Sequence, residues 1–400
     1  MQPLFYPAFA NPLVLHYQNL TTYFIFSPRI MLFWNLETVG VTKILPSDGE
    51  LRYSHCDTAG RHHVEASHDA FRKERRTRNK KSATMKHYLD LLQQTIRENW
   101  DEPALSDYRG ATLSFGDLAR EICRMHILFE EAGISVGDKI ALCGRNSARW
   151  AVTYFAILAY KAVAVPILSD FTPSSVAALT LHSDARLLIL DRHIWKGMDQ
   201  TSRLSLPDVM ALDNGEVLRS ASGLLPVALS RVDRLYEEQY RQGVCPGDVH
   251  FDTSTLDELC IISYTSGTSG SPKGTMLSAR SISSNVAFAR RLIPTRRGWR
   301  VLSILPLAHL YGLMFELMYP MLSGCRVTFL GAAPTPSVLM EALREVRPYM
   351  QLVVPLILEK IFRNKVFPAL KREPARTLMR IPVVREVVFQ NVRNGIIAVS

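Results

Sequence analysis

The chain has 400 residues, 47% of them hydrophobic and 21% charged, with a formal net charge of +10. That is ordinary globular composition with ample material for a core, and the length allows two or three domains. Six cysteines (Cys56, Cys123, Cys143, Cys245, Cys260 and Cys325) are scattered with no Cys-x-x-Cys spacing, which argues against a disulfide framework or a zinc site and makes a reducing cytoplasm the simplest home.

Residues 1–84 do not read like the rest. Leu20 to Trp34 is aromatic-rich, but Ser27-Pro28-Arg29 breaks it, and no apolar run reaches the length of a membrane helix. No basic region precedes it and no small-residue cleavage site follows, so it is not a signal peptide. The run Arg72-Lys73-Glu74-Arg75-Arg76-Thr77-Arg78-Asn79-Lys80-Lys81 carries a net +6 of the chain's +10. The high isoelectric point therefore resides largely in this run, and no nucleic-acid binding is expected of the globular part. The run reads as a solvated, disordered segment; a tail for nucleic acid or anionic lipid is the alternative. Met85 looks like a protein start. Residues 1–84 are accordingly read as a disordered or non-native upstream extension.

From there strand and helix patterns alternate. Lys86 to Asn99 has Leu89, Leu92 and Ile96 at helical spacing. Leu118 to Ala132 is amphipathic and ends at Gly133. Lys139–Cys143, Ala162–Ile167 and Leu187–Leu190 read as strands, with helices at Trp150–Lys161 and Ser174–Leu181 between them. Such alternation at short spacing argues for parallel βαβ units and an α/β fold. Residues 195–256 are polar and irregular, with no elements assigned, and are expected to hold loops and a variable connection leading to the central strand.

Leu259-Cys260-Ile261-Ile262-Ser263-Tyr264 reads as a buried strand. It runs into Thr265-Ser266-Gly267-Thr268-Ser269-Gly270-Ser271-Pro272-Lys273-Gly274, a stretch of glycines, hydroxyls and one lysine. Such a stretch cannot pack a core. It suits a loop whose N–H groups and hydroxyls face an anion, with an ammonium to neutralise it, and a polyphosphate is its natural ligand. The spacing is neither that of a Walker A loop nor that of the G-x-G-x-x-G dinucleotide fingerprint. A short strand follows at Thr275–Leu277, then a helix capped by Ser278 or Ser281 and running to about Arg291. Val301–Ile304 reads as a strand, Leu313–Leu322 as an apolar helix, Gly324–Leu330 as a strand, Val338–Val346 as a helix and Gln351–Pro355 as a strand.

The run from Tyr264 to Gly274 resembles the phosphate-binding signature of the adenylate-forming superfamily, Y-T-S-G-T-T-G-x-P-K-G, with Ser269 in place of the usual Thr. Leu305-Pro306-Leu307-Ala308-His309-Leu310-Tyr311-Gly312 resembles that family's P-L-x-H-x-Y/F-G motif. Asp101-Glu102-Pro103-Ala104-Leu105 and Thr112–Leu118 are similar to the first strands and helix start of acyl-CoA synthetases. Val354-Pro355 with Glu359-Lys360 is similar to a V-P-x-x-x-E-K segment of long-chain enzymes, with Leu356 where Arg is usual; Ala279 stands where the family often has His.

The resemblance covers Met85 to the end. It implies the large N-terminal part of an adenylate-forming enzyme, mixed sheets flanked by helices, over residues 85–400. The family's Y-G-x-T-E and T-G-D motifs and its mobile C-terminal domain are not found, so the chain is expected to be C-terminally incomplete. The implied reaction joins a long-chain fatty acid to ATP as acyl-AMP and then to CoA. It implies nucleotide contacts from Thr265, Ser266, Gly267, Thr268, Ser269, Gly270, Lys273 and Gly274, with magnesium at Thr265. It further implies acyl-side contacts from His309, Tyr311 and Gly312. Lys273 and His309 are the implied catalytic residues, His309 by positioning rather than as a base, since a carboxylate nucleophile is already ionised at neutral pH. A carrier-protein acceptor in place of CoA, and a non-catalytic nucleotide- or acyl-binding fragment, remain open alternatives. So does peripheral association at the inner membrane face, since long-chain acids partition into bilayers although no anchor is visible.

Overall fold

The computed structural model describes residues 85–265, 273–293, 295–331, 335–349, 351–352 and 363, with the strand segments 14–17, 20–26 and 31–34. Contacts divide the chain into Met1–Leu36 with His87–Ser400, and Glu37–Lys86. Of the second unit only residues 85 and 86 are described, and the basic run 72–81 lies outside the described residues. In the first unit, β1 (Val14–Tyr17), β2 (Leu20–Phe26) and β3 (Met31–Trp34) form a small antiparallel sheet in that order.

The main body begins with α1 (Tyr88–Glu98), started by His87, whose side chain accepts a hydrogen bond from the Leu89 N–H. β4 (Pro103–Asp107) turns back antiparallel as β5 (Thr112–Ser114). Ser114 then caps α2 (Phe115–Glu131) in a reciprocal capping box with Asp117, which ends the strand and starts the helix within one residue. The helix buries Leu118, Ile122, Met125 and Phe129, a stripe at three- and four-residue steps. β6 (Lys139–Cys143), α3 (Ala148–Ala159), β7 (Val163–Ile167), α4 (Pro173–His182) and β8 (Ala185–Leu190) follow, with β6 parallel to both β7 and β8. This is the parallel βαβ arrangement expected from the sequence.

Residues 195–256, left unassigned from sequence, are in fact structured. They hold the end of α5 (Arg192–Gly197), then α6 (Gln200–Ser205), β9 (Asp208–Ala211), β10 (Val217–Arg219) and the 16-residue α7 (Leu224–Gln239). The helix buries just Leu225, Ala228 and Tyr236. So thin a stripe leaves little periodic signal. β9 and β10 are short and depend on pairing, β9 with β8 and β10 with β9, rather than on their own pattern.

β11 (Leu259–Thr265) and β12 (Lys273–Ser278) form an antiparallel hairpin, and β11 also lies parallel to β7. Ser278 caps α8 (Ala279–Leu292) by accepting from the Ser281 N–H. β13 (Arg300–Ser303) leads to a continuous helix, α9, made of Leu310–Gly312, a π-helical stretch Leu313–Met318, and Tyr319–Met321. β14 (Arg326–Phe329) and α10 (Pro336–Val346) complete the described elements. Gln351 and Leu352 are not in a strand, and the rest of the expected strand 351–355 lies outside the described residues.

The larger sheet has seven strands in the order β10-β9-β8-β6-β7-β11-β12; the smaller has four, β13-β14-β4-β5. Along β6, Ile140 and Leu142 enter one hydrophobic core while Ala141 and Cys143 enter another, so the seven-stranded sheet is packed on both faces. One core contains the α2 and α3 side chains Phe129, Trp150 and Phe155; the other contains Val176 and Leu179 of α4. Among the described residues no helix is long and apolar enough to cross a membrane.

Candidate active site

The glycine- and hydroxyl-rich stretch is the tip of the β11–β12 hairpin. Register pairs run Ile261–Leu277, Ile262–Met276, Ser263–Thr275, Tyr264–Gly274 and Thr265–Lys273. The last pair sets the residues expected to serve magnesium and phosphate opposite each other at the mouth of the loop. Ser266, Gly267, Thr268, Ser269 and Gly270 lie outside the described residues. Lys273 is exposed, so its ammonium can meet a ligand without first leaving a buried partner.

Gly274 has a steric reason to be glycine. A Cβ there would stand 2.9 Å from Ile262 Cγ2 and 3.3 Å from Tyr264 Cε1. Its absence lets the Tyr264 ring lie against the hairpin stem, where Tyr264 is buried. The Tyr264 hydroxyl and His182 Nδ1, at the end of α4, are 2.8 Å apart in a hydrogen bond. The base of the loop is thereby tied to a second element.

The second expected motif leaves the end of β13 and turns into α9. Its turn is closed by the His309 N–H donating to the Pro306 carbonyl at 3.0 Å. Gly312 is again a close approach: a Cβ would lie 2.8 Å from the Pro306 oxygen. Tyr311 is half-buried and its ring is 5.3 Å from that of Phe315. His309 keeps an open face, yet the atoms packed around its ring lower its pKa, and Asp170 partly offsets this. A neutral imidazole at neutral pH is the consequence.

Topology brings the two motifs to one side. β7 and β11 are parallel neighbours; Asp170, which acts on His309, lies just past the carboxyl end of β7, and Thr265 ends β11. Asn146, in the turn after β6, reaches the second sheet: its Nδ2 donates to the Leu305 carbonyl at 2.6 Å, and its Oδ1 accepts from the Leu307 N–H at 3.0 Å. Both motifs thus lie near the carboxyl ends of parallel strands, where open α/β sheets bind ligands. Lys273 and Gly274 open β12, and His309, Tyr311 and Gly312 stand at the start of α9.

Sequence reading missed three supporting residues. His182 gave no signal. Asn146 stands in a Gly-Arg-Asn-Ser turn directly after a strand, where a polar residue is ordinary. Glu316 is a lone acid inside an apolar helix, and it is fully buried. Among the described residues no group of three or more His, Cys, Asp or Glu could hold a metal ion.

A family model described as AMP-binding enzyme matches residues 92–389. The chain belongs to the AMP-binding enzyme family. Among relatives, the long-chain-fatty-acid–CoA ligase FadD15 of Mycobacterium bovis is 31% identical over 237 residues, 58% of this chain and 37% of its own length. The chain spans half or less of the length of the curated relatives it matches. The inhibitor-bound N-terminal domain of FACL13 from Mycobacterium tuberculosis matches with a TM-score of 0.56 at 20% identity, over 73% of this chain and 68% of that one. A natural red-emitting luciferase from Phrixothrix hirtus matches with a TM-score of 0.60 at 17% identity, over 70% of this chain and 53% of that one. The fold of this AMP-binding enzyme is therefore the one expected: the large N-terminal domain of adenylate-forming enzymes, with mixed sheets flanked by helices.

Proposed function

We propose that this AMP-binding enzyme activates a long-chain fatty acid with ATP and passes the acyl group to CoA, residues 85–400 being the domain that carries the adenylation site. The observation that carries the reading is the hairpin mouth, where Thr265 and Lys273 are register partners at the carboxyl edge of the sheet, beside the strand end from which Asp170 acts on His309. The 31% identity to a long-chain ligase supports the substrate class.

In the first step a fatty acid carboxylate oxygen attacks the α-phosphorus of ATP. The bond from that phosphorus to the bridging oxygen breaks, and pyrophosphate leaves with the electron pair. Little covalent work falls to the protein, so stabilising the moving charge matters most. The loop N–H groups, hydroxyls and the Lys273 ammonium serve the β- and γ-phosphates as charge passes onto the leaving group. The open, cationic mouth suits a nucleotide carried as its magnesium complex. Thr265 would hold that ion, which when bound neutralises phosphate charge. The His309 ring, neutral and partly open, orients the carboxylate without taking a proton from it. In the second step the CoA thiolate displaces AMP from the acyl carbon, giving the thioester.

The test is acid-dependent exchange of labelled pyrophosphate into ATP by the natural full-length protein, with palmitate, octanoate, acetate and anthranilate compared. Exchange strongest with palmitate, followed by thioester formation on adding CoA, is the expected result. No acid-dependent exchange would remove the adenylation reading. Exchange with a carrier protein as the sole productive acceptor would replace CoA in it.

A further inference from the structure

The turn that carries His309 rests on a buried acid to which the reaction above gives no part. Glu316 is fully buried in the π-helical stretch of α9. Its Oε2 accepts three hydrogen bonds, from the Ser303 hydroxyl at 3.0 Å and from the Ile304 and Leu305 N–H groups, each at 2.9 Å. Those N–H groups come just after β13 ends, where the sheet ladder no longer supplies partners. Asn146 grips the same turn from the other side through the Leu305 carbonyl and the Leu307 N–H, and its Nδ2 also donates to Ser303 Oγ at 3.2 Å. Ser303 thus joins the two side chains into one network.

A leucine at this helix position would leave those three donors without an acceptor, so the acid holds the turn rather than merely filling space. What an acid supplies is a fixed acceptor for three donors that would otherwise be buried and unmade. Glu316 Oε1 is buried and has no hydrogen-bond partner among the described residues. Burial lifts the carboxyl pKa, against the opposing pull of its three donors, to about 8. Burial thus pushes the group toward its neutral form, with Oε2 as the oxygen that accepts. The widened π turn, a feature that often accompanies function, lies directly behind the motif.

We propose that Glu316 and Asn146 are positioning residues for the acyl side of the site: together they fix the turn from Ser303 to His309, and so the place of the His309 ring, without touching substrate. The proposal rests on His309 lining the acyl-adenylate site, as read above. It separates the site into a phosphate end built on the hairpin and an acyl end hung on this network.

The test uses the natural full-length protein and two probes read by calorimetry: magnesium–ATP, and dodecanoyl-sulfamoyl adenosine, a stable mimic of acyl-AMP. Glu316→Leu removes the acceptor, Ser303→Ala cuts the link between the two side chains, and Glu316→Gln keeps a neutral acceptor of the same shape. Glu316→Leu should weaken the mimic about tenfold or more, as small misplacements at a reacting centre do. ATP affinity should stay within about twofold, and Glu316→Gln should bind both probes like the parent. Ser303→Ala, the milder lesion and the one to rely on should Glu316→Leu fail to fold, should weaken the mimic severalfold and again spare ATP. Equal losses for both probes, no loss in either lesion, or a loss in Glu316→Gln matching that in Glu316→Leu would overturn the proposal. A parent protein that binds neither probe would instead sink the adenylation reading and this one with it, before any variant is made.

Discussion

Glu316 should add a pH-dependent contribution to the stability of the protein, and Glu316→Gln should remove that contribution. The carboxyl pKa is raised from 4.5 to about 8 in the folded state, chiefly by burial. Between those values the folded protein keeps a proton that the unfolded chain has released. Unfolding then releases the proton, so rising pH favours the unfolded state. The stabilisation is complete below the unfolded value and is lost as pH rises through the folded one. A tenfold difference in proton affinity between the two states is about 1.36 kcal/mol, so the loss from pH 5 to pH 8.5 is on the order of 4 kcal/mol. Tyr311, the titratable group that faces Glu316, has its own pKa raised by burial first and by Glu316 second, so it stays neutral across the window. A glutamine carries no proton to lose. For a domain of this size about 4 kcal/mol corresponds to roughly 8 °C in Tm. The assay is thermal unfolding of parent and variant at steps across that same pH range. The variant's Tm relative to the parent should climb by roughly that amount as pH rises. Groups common to both proteins cancel in the comparison. A difference that stays level across the range would refute the neutral acid, and with it the argument that Oε2 acts as a carbonyl-like acceptor.

Three further outcomes are expected. Lys273→Ala should lower acid-dependent pyrophosphate exchange about 100-fold in kcat while the KM for the acid changes less than about threefold, because the ammonium serves phosphate charge that moves in the transition state; steady-state kinetics with ATP and acid varied separately would show it, and a parallel loss in acid affinity would contradict the assignment. Gly274→Ala should destabilise by about 1–2 kcal/mol, since the added Cβ meets Ile262 and forces the buried Tyr264 ring outward, by more than the chain-entropy gain of about 0.4–1 kcal/mol that alanine brings; denaturant unfolding measures the balance, and a stabilised variant would show that the stem relaxes freely. Ser278→Ala should cost about 1 kcal/mol through loss of the cap on α8, read in the same unfolding experiment, with an unchanged midpoint counting against that cap.

What was legible in the sequence was local. The loop from Thr265 to Gly274 announced itself because glycines and hydroxyls cannot pack a core, and the strand before it was a plain apolar run. The helix from Phe115 to Glu131 was legible from Leu118 on by its apolar stripe, and that from Ala279 to Leu292 by its polar cap. The helix from Leu224 to Gln239 was not, since three buried residues in sixteen impose hardly any period. The strand from Asp208 to Ala211 owes its existence to β8 beside it, and that from Val217 to Arg219 to β9. The clamps on the site were also hidden, for a different reason. Asn146 meets Leu305 and Leu307 across about 160 residues of chain, and His182 meets Tyr264 across 82. No periodicity encodes such a contact. Glu316 alone broke its local pattern, as an acid set in the run from Leu313 to Leu322, and a charge where a helix should be apolar is the signal that could have found it.

The two ends of the proposed site are built to different mechanical standards. The stem below the proposed phosphate loop is held by six register pairs between β11 and β12 and by a buried tyrosine. The turn carrying His309 has left its sheet, and Asn146, Glu316 and Ser303 hold it by side-chain hydrogen bonds. Main-chain ladders constrain a loop whatever its side chains are; side-chain clamps can be altered one residue at a time. Substrate preference should therefore change more readily than nucleotide use as this chain is mutated. The acyl end can be re-aimed through Ser303 or Asn146 without disturbing Lys273, whereas a lesion in the hairpin stem reaches every group that meets phosphate.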